Sequence, residues 1–142
     1  MSYRLDHVGI VVNNIEEAAK LYANKLGLTP WEGGITTVPE TGVKMTLLPR
    51  EGIFIELLEP IDSESRFAKF LSEKGEGLFN LSVFTEDFDA EVSALKKKGV
   101  AVQEEEIKSV FPGHTVRLAW VPPEATRGVW FQLIDATSVP QG

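Results

Sequence analysis

From Leu5 to Val12 the chain is β-branched and apolar, which predicts a strand. Asn13 and Asn14 follow as N-capping residue types, with Glu16 and Glu17 in the first helical turn. Ile15, Ala18, Ala19, Tyr22 and Leu26 then recur at helical spacing on one face, and Gly27 stops the helix. Two more strands are predicted at Val43–Leu48 and Ile53–Leu58, with Pro49-Arg50-Glu51-Gly52 as the turn between them. Asp62-Ser63-Glu64-Ser65 offers caps for a short helix whose stripe is Phe67, Phe70 and Leu71, closed by Gly75. The pattern then restarts. Leu78–Thr85 reads as a strand, Asp87 as a cap, and Phe88, Val92 and Leu95 as a helical stripe ending at Lys96-Lys97-Lys98-Gly99. Strands follow near Val100–Gln103, Thr115–Trp120 and Val129–Ile134.

The restart is a repeat. DHVGIVVNNIEEA aligns with FNLSVFTEDFDAE, and GIFIELLE with GVWFQLID, so that Gly52 matches Gly128 and Glu59 matches Asp135. Self-similarity at this distance indicates duplicated modules sharing a core. The expected fold class is α+β: two βαβββ modules forming a curved mixed sheet with helices on the outer face. One domain over residues 1–142 is expected, with modules at 1–60 and 77–136 and a connecting helix within 61–76.

Composition narrows the chemistry. There is no cysteine, which excludes disulfides, thiolate metal sites and cysteine nucleophiles. The net charge of −7 disfavours nucleic acid as a partner. The one basic run, Lys96-Lys97-Lys98, suits a helix C-terminus. No apolar run approaches the about 20 residues of a membrane span, and the start has no secretory leader pattern. A soluble, cytoplasmic protein is the expectation.

Strand parity picks out a site. Val8, Ile10 and Val12 point toward the helix, so His7 and Gly9 point the other way, as do Asn80 and Ser82 in the second module. Glu56 shares a face with Phe54 and Leu58, and Gln132 with Trp130 and Ile134. His7, Glu56, Asn80 and Gln132 are thus polar exceptions in apolar strands, forming two symmetry-matched pairs. Burying such groups unpartnered costs on the order of 2 kcal/mol or more, so they are expected to meet one another, water, a metal or a substrate.

These motifs resemble a known family. DHVGIVV, FIELLEP, GEGLFNLSV and GVWFQLID together look like the vicinal oxygen chelate superfamily of glyoxalases, extradiol dioxygenases and bleomycin-resistance proteins, and most like methylmalonyl-CoA epimerases. The resemblance implies a divalent metal (cobalt, nickel, manganese or zinc) held by His7, Glu56, Asn80 and Gln132. His7 and Glu56 match the family's ligands. Asn80 and Gln132 replace a histidine and a glutamate with neutral amides, which are poorer donors, so weak metal binding or none is expected. The family's proton-transferring glutamates are also altered. Gly42-Val43 is followed by Lys44-Met45-Thr46 with no carboxylate, leaving Glu40 on the preceding loop and Glu56 as the candidate catalytic groups.

Three functions compete. One is an epimerase-like or glyoxalase-like isomerase or lyase acting on a small carboxylic acid or acyl-CoA. Another is a metal-free module that binds or sequesters a small molecule. The third is a metal-free enzyme with His7 and Glu56 as an acid–base pair and Asn80 and Gln132 as hydrogen-bond donors. The resemblance also implies a homodimer. Phe54, Phe79, Phe84 and Trp130 are pocket walls or core, and His114 is expected at the surface. Arg117 and Arg127 read as surface pairs or anion holders, Glu104-Glu105-Glu106 as a solvated charge run, and Pro122-Pro123 as a turn.

Overall fold

The computed structural model describes residues 3–49 and 51–140, so of the Pro49–Gly52 turn Arg50 lies outside the described residues, as do Met1 and Ser2 of the N-terminal reading. The chain forms two compact units. One is His7–Phe79; the other joins the residues up to Asp6 with those from Asn80 onward. The element order is β1 (Tyr3–Val11), α1 (Ile15–Leu26), β2 (Thr36–Val38), β3 (Val43–Leu48), β4 (Phe54–Pro60), α2 (Arg66–Lys74), β5 (Gly77–Thr85), α3 (Phe88–Lys97), β6 (Gln103–Ile107), β7 (Val116–Val121), α4 (Pro123–Thr126) and β8 (Trp130–Asp135). The βαβββ pattern therefore occurs twice in an α+β chain, with α2 between the copies. Among the described residues, no helix is long and apolar enough to cross a membrane.

Within the His7–Phe79 unit the strand order is β2-β3-β4-β1, with β4 parallel to β1 and antiparallel to β3. Val12, Ile15, Ala19, Leu48 and Leu57 form its core, with Ile10, Tyr22 and Ile55 packed against them. Helix α1 thus covers the face carrying Ile10 and Leu57, as strand parity predicts. Its start is fixed locally: the Asn14 side chain accepts from the Glu17 N–H at 3.0 Å. Gly27 ends it in the left-handed region at φ 69°, where a glycine is least costly. Helix α2 is capped by the Ser65 hydroxyl and lays Phe67 and Phe70 on Phe79, with ring centroids 4.7 and 5.2 Å apart. Phe79 is therefore core and not a pocket wall.

The second unit repeats the order as β5-β8-β7-β6, with β8 parallel to β5 and antiparallel to β7. Its core joins Val83, Phe88, Val92, Ala119, Val121 and Leu133 under α3.

An ion-pair device is duplicated as well. In β3, Lys44 Nζ lies 3.9 Å from Glu59 at the end of β4 and 3.9 Å from Glu16, the second residue of α1. In β7, Arg117 lies 3.2 Å from Asp135 at the end of β8 and 2.5 Å from Asp89, the second residue of α3. Each cation ties a last-strand carboxylate to a first-turn carboxylate of its own helix. Glu59 also accepts from the Ile15 N–H at 2.9 Å, satisfying one of the free amides at the start of α1. Arg117 is committed to this network and packs over the Phe88 ring at 4.9 Å, which settles the earlier alternatives in favour of an intramolecular pair.

Four local readings are corrected. The second strand of the second module is Gln103–Ile107, not Val100–Gln103, so Glu104-Glu105-Glu106 lies inside a strand. Glutamate is depleted in strands, which hid this one; β6 ends the strand order, where charges deter edge-to-edge pairing. The three-residue β2 is too short to give a period. Asp87 precedes α3 but makes no side-chain capping bond. Pro122-Pro123 opens the short α4.

Two predictions follow from these pairs. Asp135 is buried and one of its oxygens accepts from Arg117 while the other accepts from Thr137, whereas the Lys44 pairs are longer. Arg117→Ala is expected to lower stability by about 2 kcal/mol, and Lys44→Ala by less than about 1 kcal/mol, in urea titrations. Equal losses would remove the distinction. The Tyr3 hydroxyl is pushed up to about 12, first by burial and then by its 2.9 Å hydrogen bond to the Glu91 carboxylate. The folded state holds the phenol protonated, so this contribution is complete below the ordinary value of 10 and is lost as pH rises toward 12. Tyr3→Phe should therefore differ from the parent in melting temperature at pH 8, with the difference shrinking between pH 10 and 12.

Candidate functional site

On the strand face opposite α1, the parallel register sets His7 beside Phe54, Gly9 beside Glu56, and Val11 beside Leu58. The antiparallel register adds Leu47 beside Glu56 and Met45 beside Leu58. His7 stacks on Phe54, with ring centroids 5.1 Å apart and planes 16° from parallel. Its Nε2 lies 3.3 Å from Glu56 Oε1, and the two side chains are 7% and 17% exposed. Gly9 presents no side chain next to Glu56. The result is a carboxylate and an imidazole in contact, walled by apolar side chains. The two groups approach closely in a low-dielectric setting, where electrostatic coupling is stronger than in water.

The second unit carries a different polar cluster on the strand face opposite α3. Register places Asn80 beside Trp130, and Ser82 beside Gln132, which in turn sits beside Trp120. Asn80 Nδ2 donates to Ser82 Oγ at 2.7 Å, and Ser82 Oγ donates to Gln132 Oε1 at 2.6 Å. All three residues are buried. Asn80 Oδ1 has no hydrogen-bond partner among the described residues. Trp120 and Trp130 meet edge to face at 6.0 Å, and the Trp120 indole N–H donates to Glu105.

The sequence-predicted residues thus fall into groups. His7 and Glu56 are brought together in one unit; Asn80 and Gln132 are joined in the other through Ser82. Glu40 is exposed on the turn between β2 and β3. Phe54 lines the imidazole, while Phe84 carries the Arg4 guanidinium over its ring at 5.3 Å. His114 and Arg127 are exposed. Sequence reasoning undervalued Ser82 and Glu105. Ser82 shares the parity of Asn80, but a serine in a strand gave no sign of bridging two amides. Glu105 was obscured by the acidic residues on either side.

The donor set can be tested against a divalent metal. His7 and Glu56 supply one imidazole and one carboxylate. Gln132 Oε1 already accepts from Ser82. Among the described residues, no group of three or more histidine, aspartate or glutamate side chains is arranged to hold a metal ion. First-row divalent ions in proteins take at least three such ligands as a rule, so this donor set does not fit a tight site.

Comparison with known proteins places the chain. Residues 6–117 match the model of the glyoxalase/bleomycin resistance protein/dioxygenase superfamily. The uncharacterised protein YqjC of Bacillus subtilis is 30% identical over 132 residues, covering 93% of this chain and 91% of that protein. Human mitochondrial methylmalonyl-CoA epimerase is 32% identical over 134 residues, covering 94% of this chain and 74% of that one. A variant of Streptomyces coelicolor methylmalonyl-CoA epimerase, solved in complex with 2-nitronate-propionyl-CoA, superposes with a TM-score of 0.79 at 26% identity, covering 96% of this chain and 98% of that one. The duplicated βαβββ pattern, the matched motifs and these relatives agree: the chain belongs to the glyoxalase/bleomycin resistance protein/dioxygenase superfamily and has the glyoxalase-like fold.

Proposed function

We propose that this protein is an epimerase-like isomerase that moves a proton at the carbon next to the thioester carbonyl of a small acyl-CoA acid. The observation that carries this reading is the 3.3 Å contact between His7 Nε2 and Glu56 Oε1 on an apolar strand face. The epimerase relatives supply the substrate class.

Glu56 is the base in this scheme. Its carboxylate takes the proton as the C–H bond breaks, and the bonding pair moves into the enolate. Return of the proton from Glu56 regenerates substrate; delivery of a proton from water to the opposite face inverts the centre, and Glu56 then releases its own proton to solvent. His7 stands 3.3 Å from the carboxylate and steadies it, and its stacking on Phe54 limits imidazole rotation. Apolar neighbours such as Leu47 and Leu58 strengthen the electrostatic exchange by excluding water. The enolate then needs hydrogen-bond donors, because the donor set does not provide a tight divalent site. The exposed Glu40 has no assigned step.

The test is solvent deuterium incorporation into methylmalonyl-CoA and related acyl-CoA acids, followed by mass spectrometry. The parent should exchange the α-hydrogen. Glu56→Gln should lower kcat by about 100-fold or more, in line with loss of a positioned general base. Wild-type protein that exchanges no acyl-CoA acid, or Glu56→Gln at parental rate, would overturn the assignment.

A further inference from the structure

One groove takes no part in the proton-transfer scheme. It has a volume of about 490 Å³ and lies wholly within the His7–Phe79 unit, among β1, α1 and the Glu76-Gly77 segment. That size falls within the about 300–1,000 Å³ of small-ligand sites. Ile10 and Val12, at the end of β1, and Leu21 and Tyr22 of α1 give it an apolar surface. Ile10 points away from His7, so the groove and the imidazole lie on opposite faces of β1. Leu21 is 55% exposed, which leaves apolar surface uncovered there. The charges around the groove are of one sign. Glu17 and Glu76 line it, and among the described residues neither a lysine nor an arginine does. Glu76 is held there, because its carboxylate accepts from the Asn13 N–H at 2.9 Å. A helix start ordinarily attracts an anion. Here the amides of Ile15, Glu17 and Ala18 are already taken, by Glu59, the Asn14 side chain and the Asn14 carbonyl.

We propose that this groove is a second ligand site, for a small organic cation with an apolar body such as an arylalkylammonium ion. The Glu17 and Glu76 carboxylates hold the ammonium, and the body lies along Ile10, Val12 and Leu21. Tyr22 adds an aromatic ring to the same wall, and aromatic rings attract cations. Neither feature suffices alone. Exposed carboxylates hold a hydrated inorganic cation weakly, because water and salt screen them. An apolar body beside them adds burial and displaces water, so that both effects act on one molecule. An uncharged molecule of the same shape loses the electrostatic part, and an anion meets repulsion. An acyl-CoA carries negative phosphates and is disfavoured here. The site is therefore independent of the isomerase reading.

Three probes of similar shape separate these effects: phenethylammonium, phenethyl alcohol and hydrocinnamate. Each is titrated into the isotope-labelled full chain and followed by amide NMR shifts. Phenethylammonium should shift the amides of Asn13, Glu17, Leu21 and Gly77 together and saturate. Phenethyl alcohol should bind about 3-fold more weakly, and hydrocinnamate at least about 10-fold more weakly. Glu17→Gln combined with Glu76→Gln should weaken phenethylammonium by about 10-fold and leave phenethyl alcohol within about 2-fold. The amide that replaces Glu76 can still accept from the Asn13 N–H, so the local fold is kept. Leu21→Ser should weaken both probes by about 3-fold. Added salt should weaken the cation alone. Thermal melts identify any variant that fails to fold, in which case the salt dependence of the parent decides. No saturable shift, shifts confined to residues outside the groove, hydrocinnamate binding as tightly as phenethylammonium, or parental affinity in the double variant would overturn the proposal. A parent that exchanges no acyl-CoA acid sinks the isomerase reading and leaves this site untouched.

Discussion

Pairing between parallel strands governs what the rest of this chain can do. A strand residue can serve only one face, and a shift of one position would exchange the faces. With His7 opposite Phe54 and Ile10 opposite Leu57, one face of the β1–β4 pair receives α1 and the other gathers the imidazole and the carboxylate. The β5–β8 pair repeats the arrangement, with Val83 and Leu133 under α3 and Ser82 beside Gln132 on the reverse. Apolar burial on the helix face fixes the register, and the polar face inherits its geometry from that choice.

The duplicated ion pairs reinforce the same frame. Each module ends its last strand in a carboxylate near the positive end of a helix, a favourable placement that also concentrates negative charge. Lys44 and Arg117 offset it. The two solutions differ in strength, because Arg117 packs against Phe88 and reaches Asp135 and Asp89 at close range, whereas Lys44 spans longer gaps. A planar guanidinium can serve two carboxylates and a ring face at once; an ammonium cannot. In a chain of net charge −7, placing cations at these two points matters more than their number suggests.

The two modules have diverged in chemistry while keeping their frame. One retains an ionisable pair, suited to moving a proton. The other carries two amides linked by a hydroxyl, hydrogen-bonded without charge. Neutral amides such as Asn80 and Gln132 attract a divalent ion less than a carboxylate would, and burying them avoids the desolvation cost of a charge.

The α+β class, the duplication, the helix stripes and the outward parity of His7, Glu56, Asn80 and Gln132 were legible in the sequence, because alternation and helical spacing are local properties of the chain. The cap at Asn14 and the stop at Gly27 were legible for the same reason. Tertiary structure decided the rest. The strand position of Glu104-Glu105-Glu106 depends on pairing with β7, which overrides the low strand preference of glutamate. Ser82 gained its bridging role only when a residue 50 positions away came within 2.6 Å. The His7–Glu56 contact likewise required two distant strands to pair in parallel. Sequence periodicity specifies the face on which a side chain lies; which neighbour it meets there is set by long-range register, which no local pattern encodes.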